Sequence, residues 1–386
     1  MNDIRRRLLV SGLALAICLT VGANFTARAQ NADPLRIGLL LSLSGPAAPF
    51  GIPERDAVEI LTKKINSEGG VGGRQIELFV FDDATNPTEA ARGANQLIQE
   101  NKVVAIIGST TGSGTLAAAP VAMRYEIPVL APNGTVAVTS KDNKFYPWVF
   151  RSLSGDLTNT SVMFDRAISK GAKRIGLFYQ EDAYGKNTAD FLQELAKKAG
   201  VEIVETATAP LKAIDLTSQA TKIRNGNPDV VLIQASAPTL GAAFVRAAKL
   251  VGLQVPMWAP IGLGQVSFVN ASGDAGNGVR IVMVANWDDP GPGLQELGKI
   301  LTAAGKPPQG FGEVIGSNAL LAITNAVKTI KGDVSGTILR DALEKLCGIK
   351  TYSEGSLCFS EDKHDGWNGD LLVTAEIKDG KFRRLK

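Results

Sequence analysis

The stretch from Val103 to Pro132 reads VVAIIGSTTGSGTLAAAPVAMRYEIPVLAP. Val103–Gly108 is apolar or small throughout, a pattern typical of a strand that is buried on both faces. A loop of Ser, Thr and Gly follows, and then a predicted helix at Thr115–Tyr125 and a second short strand at Ile127–Leu130. This order predicts a βα unit of an open parallel sheet, in which ligands bind beyond the carboxyl ends of the strands.

The loop Gly108–Thr115, GSTTGSGT, leads into the start of the predicted helix. Free backbone N–H groups and the helix dipole at such a start favour a bound anion. The loop has no lysine where a nucleotide-binding phosphate loop requires one, and its glycines have a different spacing. We therefore expect no nucleotide here. An ordinary capped connection without a ligand is the alternative interpretation.

The chain has 386 residues, enough for two domains of ordinary size, each with its own core. Its formal net charge is +3. Residues 1–29 account for all of this charge, because they contain Arg5, Arg6, Arg7 and Arg28 against Asp3. The remainder is electrically balanced, so its charge suggests neither a nucleic acid nor an anionic membrane as a partner.

Residues 1–29 have the three parts of a secretory signal. These are a basic start, an apolar run from Leu8 to Val21, and the small residues Ala27 and Ala29 before Gln30. We predict a signal peptide that is cleaved after Ala29. A membrane anchor is the less favoured alternative, because the apolar run is shorter than the roughly 20 residues that a span needs.

Two cysteines, Cys347 and Cys358, follow the predicted cleavage site. In an oxidising compartment, two cysteines close in sequence form a disulfide more often than a metal site. The single histidine, His364, leaves too few soft ligands for a metal. We therefore predict a Cys347–Cys358 disulfide and no metal, and we interpret His364 as a surface turn residue.

Strand and helix patterns alternate through most of the chain. The order βαβαβ occupies residues 35–130, and the same alternation begins again at Arg174. Because connections between parallel strands are right-handed, each run predicts a doubly wound sheet. The predicted fold class is α/β, with two doubly wound Rossmann-like lobes joined by a hinge.

The predicted lobe boundaries depend on the late segments of the chain. We assign the strand Val279–Ala285 and the helix Glu313–Ile330 to the first lobe, because they would otherwise require a large second sheet. We place the strands of the tail on the second lobe. The predicted N-terminal lobe is thus 30–153 plus 278–350, and the predicted C-terminal lobe is 154–277 plus 351–386. Repeated crossings between the lobes predict a cleft that closes.

The sequence contains no recognisable catalytic constellation. No GxGxxG motif follows the first predicted strand and no serine lies on a GxSxG elbow, so neither a dinucleotide enzyme nor a hydrolase is expected. Asp82 and Asp83 precede Asn86-Pro87, a pattern typical of a turn and helix cap. We therefore predict a protein that is not an enzyme and has no cofactor.

Aromatic residues mark the other side of the predicted cleft. Tyr184 comes just after the first predicted strand of the second lobe, so it would face the loop GSTTGSGT. A tyrosine there can stack on a solute or hydrogen-bond it, and anchoring of the helix start is the alternative. Phe50 and Trp287 also follow strand ends and are further candidates, whereas Trp148 and Trp258 are expected to pack structurally.

Six segments of the chain form a specific set. They are IGLLLSLSGPAAPFG at 37–51, NSEGGVGGRQIELFVFDDATNP at 66–87, IIGSTTGSGTLAAAPVA at 106–122, IPVLAPNGT at 127–135, YPWVFRS at 146–152 and EDAYGKN at 181–187. As a set they resemble the periplasmic leucine/isoleucine/valine-type solute-binding proteins of ABC importers, which have the type I periplasmic-binding fold. The resemblance implies a periplasmic protein whose two lobes close on one small solute without chemistry and serve an ABC permease in the inner membrane. We expect a monomer.

The resemblance also implies ligand contacts, carried over by position. The carboxylate-binding loop corresponds to Thr110, Thr111, Gly112 and Ser113, the second loop to Asn133, Gly134 and Thr135, and the two cleft aromatics to Phe50 and Tyr184. Amino-acid binders usually have a serine at the position of Gly112. Either Ser113 or Thr111 takes that role, or the register differs by one residue.

The resemblance implies that amino-acid-binding members of the family have an acidic residue at the position of Ile261. That residue pairs with the ammonium group of the ligand. Ile261 is apolar, and burying an ammonium without an anionic partner costs several kcal/mol. Our hypothesis is an aromatic or branched organic acid that lacks the α-amino group, with Ile261, Phe50, Tyr184 and Trp287 as apolar walls. The alternatives are an amino acid whose ammonium pairs with Asp182 or another acidic residue, and a periplasmic sensing module of the same fold.

Overall fold

The first lobe contains a parallel sheet of five strands. In the computed structural model, which describes residues 33–353, 355–368 and 372–385, these are β1 (Leu35–Leu41), β2 (Ile76–Asp82), β3 (Ala105–Gly108), β4 (Val129–Ala131) and β5 (Val149–Arg151). Their order across the sheet is β2-β1-β3-β4-β5. The helices between them are α1 (Ala48–Ser67), α2 (Pro87–Gln99) and α3 (Gly112–Arg124). The predicted signal peptide, residues 1–29, lies outside the described residues.

Side chains of Asp82 and Asn86 close the turn between β2 and α2. Asp82 Oδ1 accepts hydrogen bonds from the N–H groups of Leu43 and Ala84, each at 2.8 Å. Asn86 Oδ1 caps α2 by accepting from the N–H of Thr88 at 2.8 Å. These bonds confirm the predicted turn and helix cap.

The second lobe begins with a helix that the sequence analysis did not predict, α4 (Asp156–Ile168). It continues with β6 (Arg174–Gln180), α5 (Ala183–Ala199), β7 (Glu202–Ala209), α6 (Thr217–Asn225), β8 (Val230–Gln234), α7 (Pro238–Leu250), β9 (Met257–Ala259), α8 (Val266–Ser272) and β10 (Arg280–Met283). The chain then returns to the first lobe, where α10 packs against α1. That part contains α9 (Pro292–Ala303), α10 (Gly312–Thr329), α11 (Gly336–Leu343), β11 (Cys347–Lys350), β12 (Ser356–Cys358) and β13 (Trp367–Asn368).

A final hairpin, β14 (Val373–Lys378) and β15 (Lys381–Arg384), completes the second sheet. The order of its seven strands is β15-β14-β10-β9-β8-β6-β7. Two separate sheets with helices around them confirm the predicted α/β class and the two lobes. The described chain passes between the lobes after β5, after β10 and between β13 and β14, and all these elements belong to one compact unit that starts at Pro34.

The prediction that Val279–Ala285 belongs to the first lobe is wrong. β10 pairs in parallel with β9 and antiparallel with β14, inside the second sheet. Three of its four side chains are buried, and the hairpin of β14 and β15 covers the edge that β10 would otherwise expose. The hairpin itself contributes two of the seven strands, so β15 and not β10 is the edge strand on this side.

The assignment of the whole segment 351–386 to the second lobe is also wrong in part. β11, β12 and β13 form a separate antiparallel sheet of three strands, and the predicted Cys347–Cys358 disulfide joins the first two. This small sheet lies against the first lobe, because Arg151 at the end of β5 donates its N–H to the carbonyl oxygen of His364 at 2.9 Å. Of the described tail, the second sheet contains only β14 and β15.

His364 is buried, with 1% of its surface exposed, so its interpretation as a surface turn residue is wrong. The imidazole is stacked between the rings of Tyr146 and Phe150, at centroid distances of 4.3 and 4.0 Å. Its Nδ1 lies 3.0 Å from the carbonyl oxygen of Val149. Burial lowers the pKa of His364 to about 4, and the charges of Arg340 and Lys141 add to the effect. The ring is therefore neutral at neutral pH.

We predict that His364 makes folding stability depend on pH. Its folded pKa of about 4 lies below the unfolded value of 6.5, so the unfolded chain binds a proton first as the pH falls. The contribution of His364 to the free energy of unfolding is therefore fully present above pH ~6.5. It is lost below that pH, by about 2 kcal/mol at pH ~5. Chemical denaturation of the wild type and of His364→Gln should show the difference between them shrinking by that amount between pH ~7.5 and ~5. An unchanged difference would contradict the prediction, since Asp156 and Glu313 titrate equally in both proteins.

Among the described residues, no helix combines the length and the apolar character that crossing a bilayer requires.

Candidate ligand-binding site

A cavity of about 660 Å³, counted to its open mouth, lies between the two lobes. Segments that follow the carboxyl ends of nine parallel strands line it, from both sheets: β1 to β5 of the first, and β6 to β9 of the second. Helices α1, α4 and α10 complete the wall. This is the position at which open α/β sheets bind ligands, so the cavity is the candidate site.

Nine of the eleven predicted ligand-binding residues line this cavity. They are Phe50, Thr110, Thr111, Gly112, Asn133, Gly134, Thr135, Tyr184 and Ile261. Ser113 and Trp287 are not in the lining. Trp287 as an apolar wall is therefore a wrong prediction. Its indole Nε1–H donates to the carbonyl oxygen of Gly310, because the chain after β10 returns to the first lobe instead of ending at the cleft.

The N-terminus of α3 opens at the cavity. Thr111 caps it by accepting a hydrogen bond from the N–H of Gly114 at 3.1 Å. The N–H groups of Gly112 and Ser113 are the first two of the helix, so they have no acceptor within it, and no other described residue accepts from them. They are free donors at the positive end of the helix dipole, which suits a carboxylate.

Gly112 and Thr135 bring the two predicted loops into contact. A Cβ atom at Gly112 would lie 2.1 Å from Thr135 Oγ1 and 2.5 Å from Thr135 Cβ. A serine at this position would overlap with Thr135, which explains why glycine replaces the serine expected from the resemblance. Asn133 also joins the loops, since its Nδ2 donates to the carbonyl oxygen of Ser109 and to Thr115 Oγ1, each at 3.0 Å.

The second lobe presents Tyr184 and Asp182. The Tyr184 hydroxyl donates to Gln234 Oε1 at 3.1 Å. This bond holds the ring at the cavity wall, and burial raises the pKa of the tyrosine well above its usual value. Asp182 Oδ1 caps α5 by accepting from the N–H of Gly185 at 2.9 Å, and its Oδ2 accepts from Gln180 at 2.7 Å. Both carboxylate oxygens of Asp182 thus already accept a hydrogen bond from within the protein.

Asp156, the first residue of α4, lies in the cavity, although the sequence analysis did not find it. Its N–H donates to the carbonyl oxygen of Gly134 at 2.8 Å. Burial raises the pKa of Asp156 to about 7. The positive charge of Arg151 lowers it, and the negative charges of Asp182 and Asp365 raise it. Asp156 therefore changes its charge near neutral pH.

Among the described residues of the lining, acidic side chains are the only ionisable groups apart from Tyr184. The cavity wall contains Glu54, Asp156 and Asp182, and among its described residues there is no Lys, Arg or His. Ile261 is apolar, as the sequence shows. A helix outside the predicted loops brings Asp156 into the cavity, an acidic group of the kind that the alternative of an amino-acid ligand requires.

Apolar side chains also line the cavity. The rings of Phe50 and Phe311 lie 5.2 Å apart and are tilted by 56°. Two further apolar lining residues are Ile261, 5% exposed, and Leu153, 2% exposed. Phe311 precedes α10, more than 250 residues after Phe50, and no local pattern in the sequence marks it as part of the site.

Comparisons with known proteins agree with this architecture. A family profile described as "Periplasmic binding protein" matches residues 34–381. The leucine-, isoleucine-, valine-, threonine- and alanine-binding protein of Pseudomonas aeruginosa is 24% identical over 368 residues, 94% of this chain and 95% of that relative.

Solved structures with similar folds include an ABC-transporter solute-binding protein of Rhodopseudomonas palustris in complex with benzoate. It has a TM-score of 0.80 at 24% identity and covers 91% of this chain and 95% of its own. Another R. palustris solute-binding protein, in complex with 3,4-dihydroxybenzoic acid, has a TM-score of 0.80 at 23% identity, with 92% and 96% of the two chains covered.

Proposed function

The chain belongs to the periplasmic binding protein family, whose profile matches residues 34–381, and we propose that it is the solute-binding component of an ABC importer. The family consists of binding proteins and not of enzymes. In this proposal, the protein is exported by its signal peptide, with cleavage after Ala29, and acts in the periplasm. Closure of the two lobes around a solute presents the loaded protein to a permease in the inner membrane.

We further propose that the solute is a small organic acid with an aromatic or branched apolar body. The observation that carries this proposal is that one cavity contains both the free N–H groups at the start of α3 and the apolar side chains of Phe50, Phe311 and Ile261. The helix start would bind the carboxylate through neutral donors. The apolar body would lie against the aromatic rings.

Asp156 is compatible with an acid when it is protonated. Its pKa of about 7 lets it take up a proton at neutral pH and donate a hydrogen bond to the acid, so that the two negative charges do not repel each other. The charged groups that act on Asp156 are Arg151, Asp182 and Asp365.

An amino acid is the second candidate, and the same residue favours it. Ionised Asp156 lies beside the Gly134 loop, close to the proposed carboxylate site, where it could pair with an α-ammonium. The P. aeruginosa relative is named for binding leucine, isoleucine, valine, threonine and alanine, which is consistent with an amino-acid ligand.

Calorimetric titration of the protein with benzoate, 4-methylpentanoate and leucine tests both candidates. 4-Methylpentanoate has the side chain and carboxylate of leucine without the ammonium, and benzamide serves as the uncharged control for benzoate. We expect one of the acids to bind with a Kd near 1 μM, or about −8 kcal/mol, and leucine and benzamide not to bind. The acid should bind about tenfold more tightly at pH ~6 than at pH ~8, because Asp156 must be protonated. Leucine binding that strengthens towards pH ~8, without a response to the acids, would overturn the proposal in favour of the second candidate.

A further inference from the structure

Glu54 is a carboxyl group in the cavity wall to which the proposed function assigns no role. It lies on α1, four residues after Phe50, and therefore on the same face of that helix. Both side chains line the cavity. Glu54 is completely buried, at 0% exposure. A fully buried carboxyl in a ligand cavity requires an explanation.

One oxygen of Glu54 is hydrogen-bonded and the other is not. Thr110 Oγ1 lies 2.7 Å from Glu54 Oε2 and accepts the N–H of Ser42 at 3.1 Å. The Thr110 hydroxyl hydrogen therefore points to Oε2, which acts as the acceptor. Within the described part of the chain, Glu54 Oε1 has no hydrogen-bond partner.

The surroundings of Glu54 favour its neutral form. Burial raises its pKa well above the usual value, the charges of Asp83 and Glu313 raise it further, and the bond from Thr110 lowers it. No basic side chain among the described lining residues offsets these effects. Since Oε2 accepts from Thr110, the proton belongs on Oε1. The wall thus contains a hydrogen-bond donor whose acceptor the protein does not provide.

We propose that Glu54 Oε1–H donates a hydrogen bond to a hydroxyl or carbonyl oxygen on the body of the ligand. This inference rests on the proposed function and narrows it to acids that carry a second oxygen in addition to the carboxylate. The start of α3 would bind the carboxylate. Glu54 lies one helical turn from the Phe50 ring, where the apolar body packs, so a polar group there matches a substituent on that body.

The test compares hydroxylated and plain acids. Titrations with 3-hydroxybenzoate, 4-hydroxybenzoate and benzoate should show at least a tenfold preference of the wild type for one hydroxybenzoate. Glu54→Met should abolish that preference. Glu54→Gln, whose amide still donates, should keep it within threefold. Glu59→Gln, the same substitution on the same helix, is the matched control. It should leave the affinities for benzoate and for both hydroxybenzoates unchanged.

An infrared measurement tests the donor without any ligand. At pH ~7 the difference spectrum between the wild type and Glu54→Gln should contain the C=O stretching band of a protonated carboxylic acid. Bands from Asp156 and Glu313, whose pKa values are about 7, are common to both proteins and cancel in this difference. The band should move to lower frequency when the preferred hydroxybenzoate is added. A missing band overturns the inference even if no acid binds. A preference that survives in folded Glu54→Met overturns it while leaving the proposed function intact, whereas failure of all the acids to bind the wild type rejects the proposed function itself.

Discussion

Replacing Gly112 with alanine is expected to weaken ligand binding at least hundredfold, about 2.7 kcal/mol. The new Cβ atom would lie 2.1 Å from Thr135 Oγ1, much closer than two such atoms can approach. Either the start of α3 or the loop at Thr135 must move, and both line the cavity. The N–H donors of Gly112 and Ser113 would then leave the position in which they can bind a carboxylate together. Calorimetry with the acid that binds the wild type most tightly measures the loss.

Gly298→Ala is the matched control for this variant. Gly298 lies inside α9, and a Cβ there would meet only the ordinary contacts of Trp287 at 3.4 Å and Pro308 at 3.8 Å. Because alanine favours a helix over glycine, we expect unchanged affinity and a stability gain of about 0.5–1 kcal/mol. If Gly112→Ala binds within threefold of the wild type, the contact with Thr135 does not determine the position of the helix start.

The second large effect is expected at Arg151, whose replacement with methionine should lower the free energy of unfolding by about 3 kcal/mol. Arg151 is 1% exposed. It forms an ion pair with Asp365, and its Nη1 donates to the carbonyl oxygen of Gly134 at 2.8 Å. The variant removes the Asp365 ion pair and one of the two donors to that buried oxygen, the other being the N–H of Asp156. The cost is reduced because the Asp365 side chain, 40% exposed, can still be solvated. Urea denaturation measures the difference.

Arg92→Met provides the comparison for an exposed ion pair. Arg92 bonds to Glu89 on the surface of α2, and its side chain is 60% exposed. Such pairs contribute less than about 1 kcal/mol, so this variant should unfold at nearly the same urea concentration as the wild type. Equal effects of the two arginine substitutions would show that the buried bond to Gly134 contributes little to stability.

Much of the candidate site could be predicted because of where its residues lie relative to the strands. Thr110, Asn133, Tyr184 and Ile261 follow strand ends, and the strands themselves are recognisable as short apolar runs. The carboxyl-end rule then places these residues in one cleft without knowledge of any distance. Trp287 also follows a strand end, but the chain after β10 returns to the first lobe, where the indole donates to the carbonyl oxygen of Gly310.

Three residues of the cavity follow no such rule. Glu54 lies within a helix, Phe311 precedes another, and Asp156 begins a helix that the sequence analysis left unassigned. Asp156 could have been found from the apolar spacing in α4, with an acidic residue at its start. For Glu54 and Phe311, an amphipathic helix pattern indicates only a buried face and not what covers it.

The alternation of strands and helices, the two lobes and the cleft at the strand ends are properties that the amino-acid order reveals on its own, because each depends on local periodicity and short connections. The tertiary structure alone shows the sheet to which β10 belongs, the burial of His364, and the acids that face the ligand. These features depend on contacts between distant residues: 56 positions separate Glu54 from Thr110, and 214 separate Arg151 from Asp365. No local pattern encodes which of many apolar or polar surfaces will meet across such separations, since that choice is made by the packing of the whole chain.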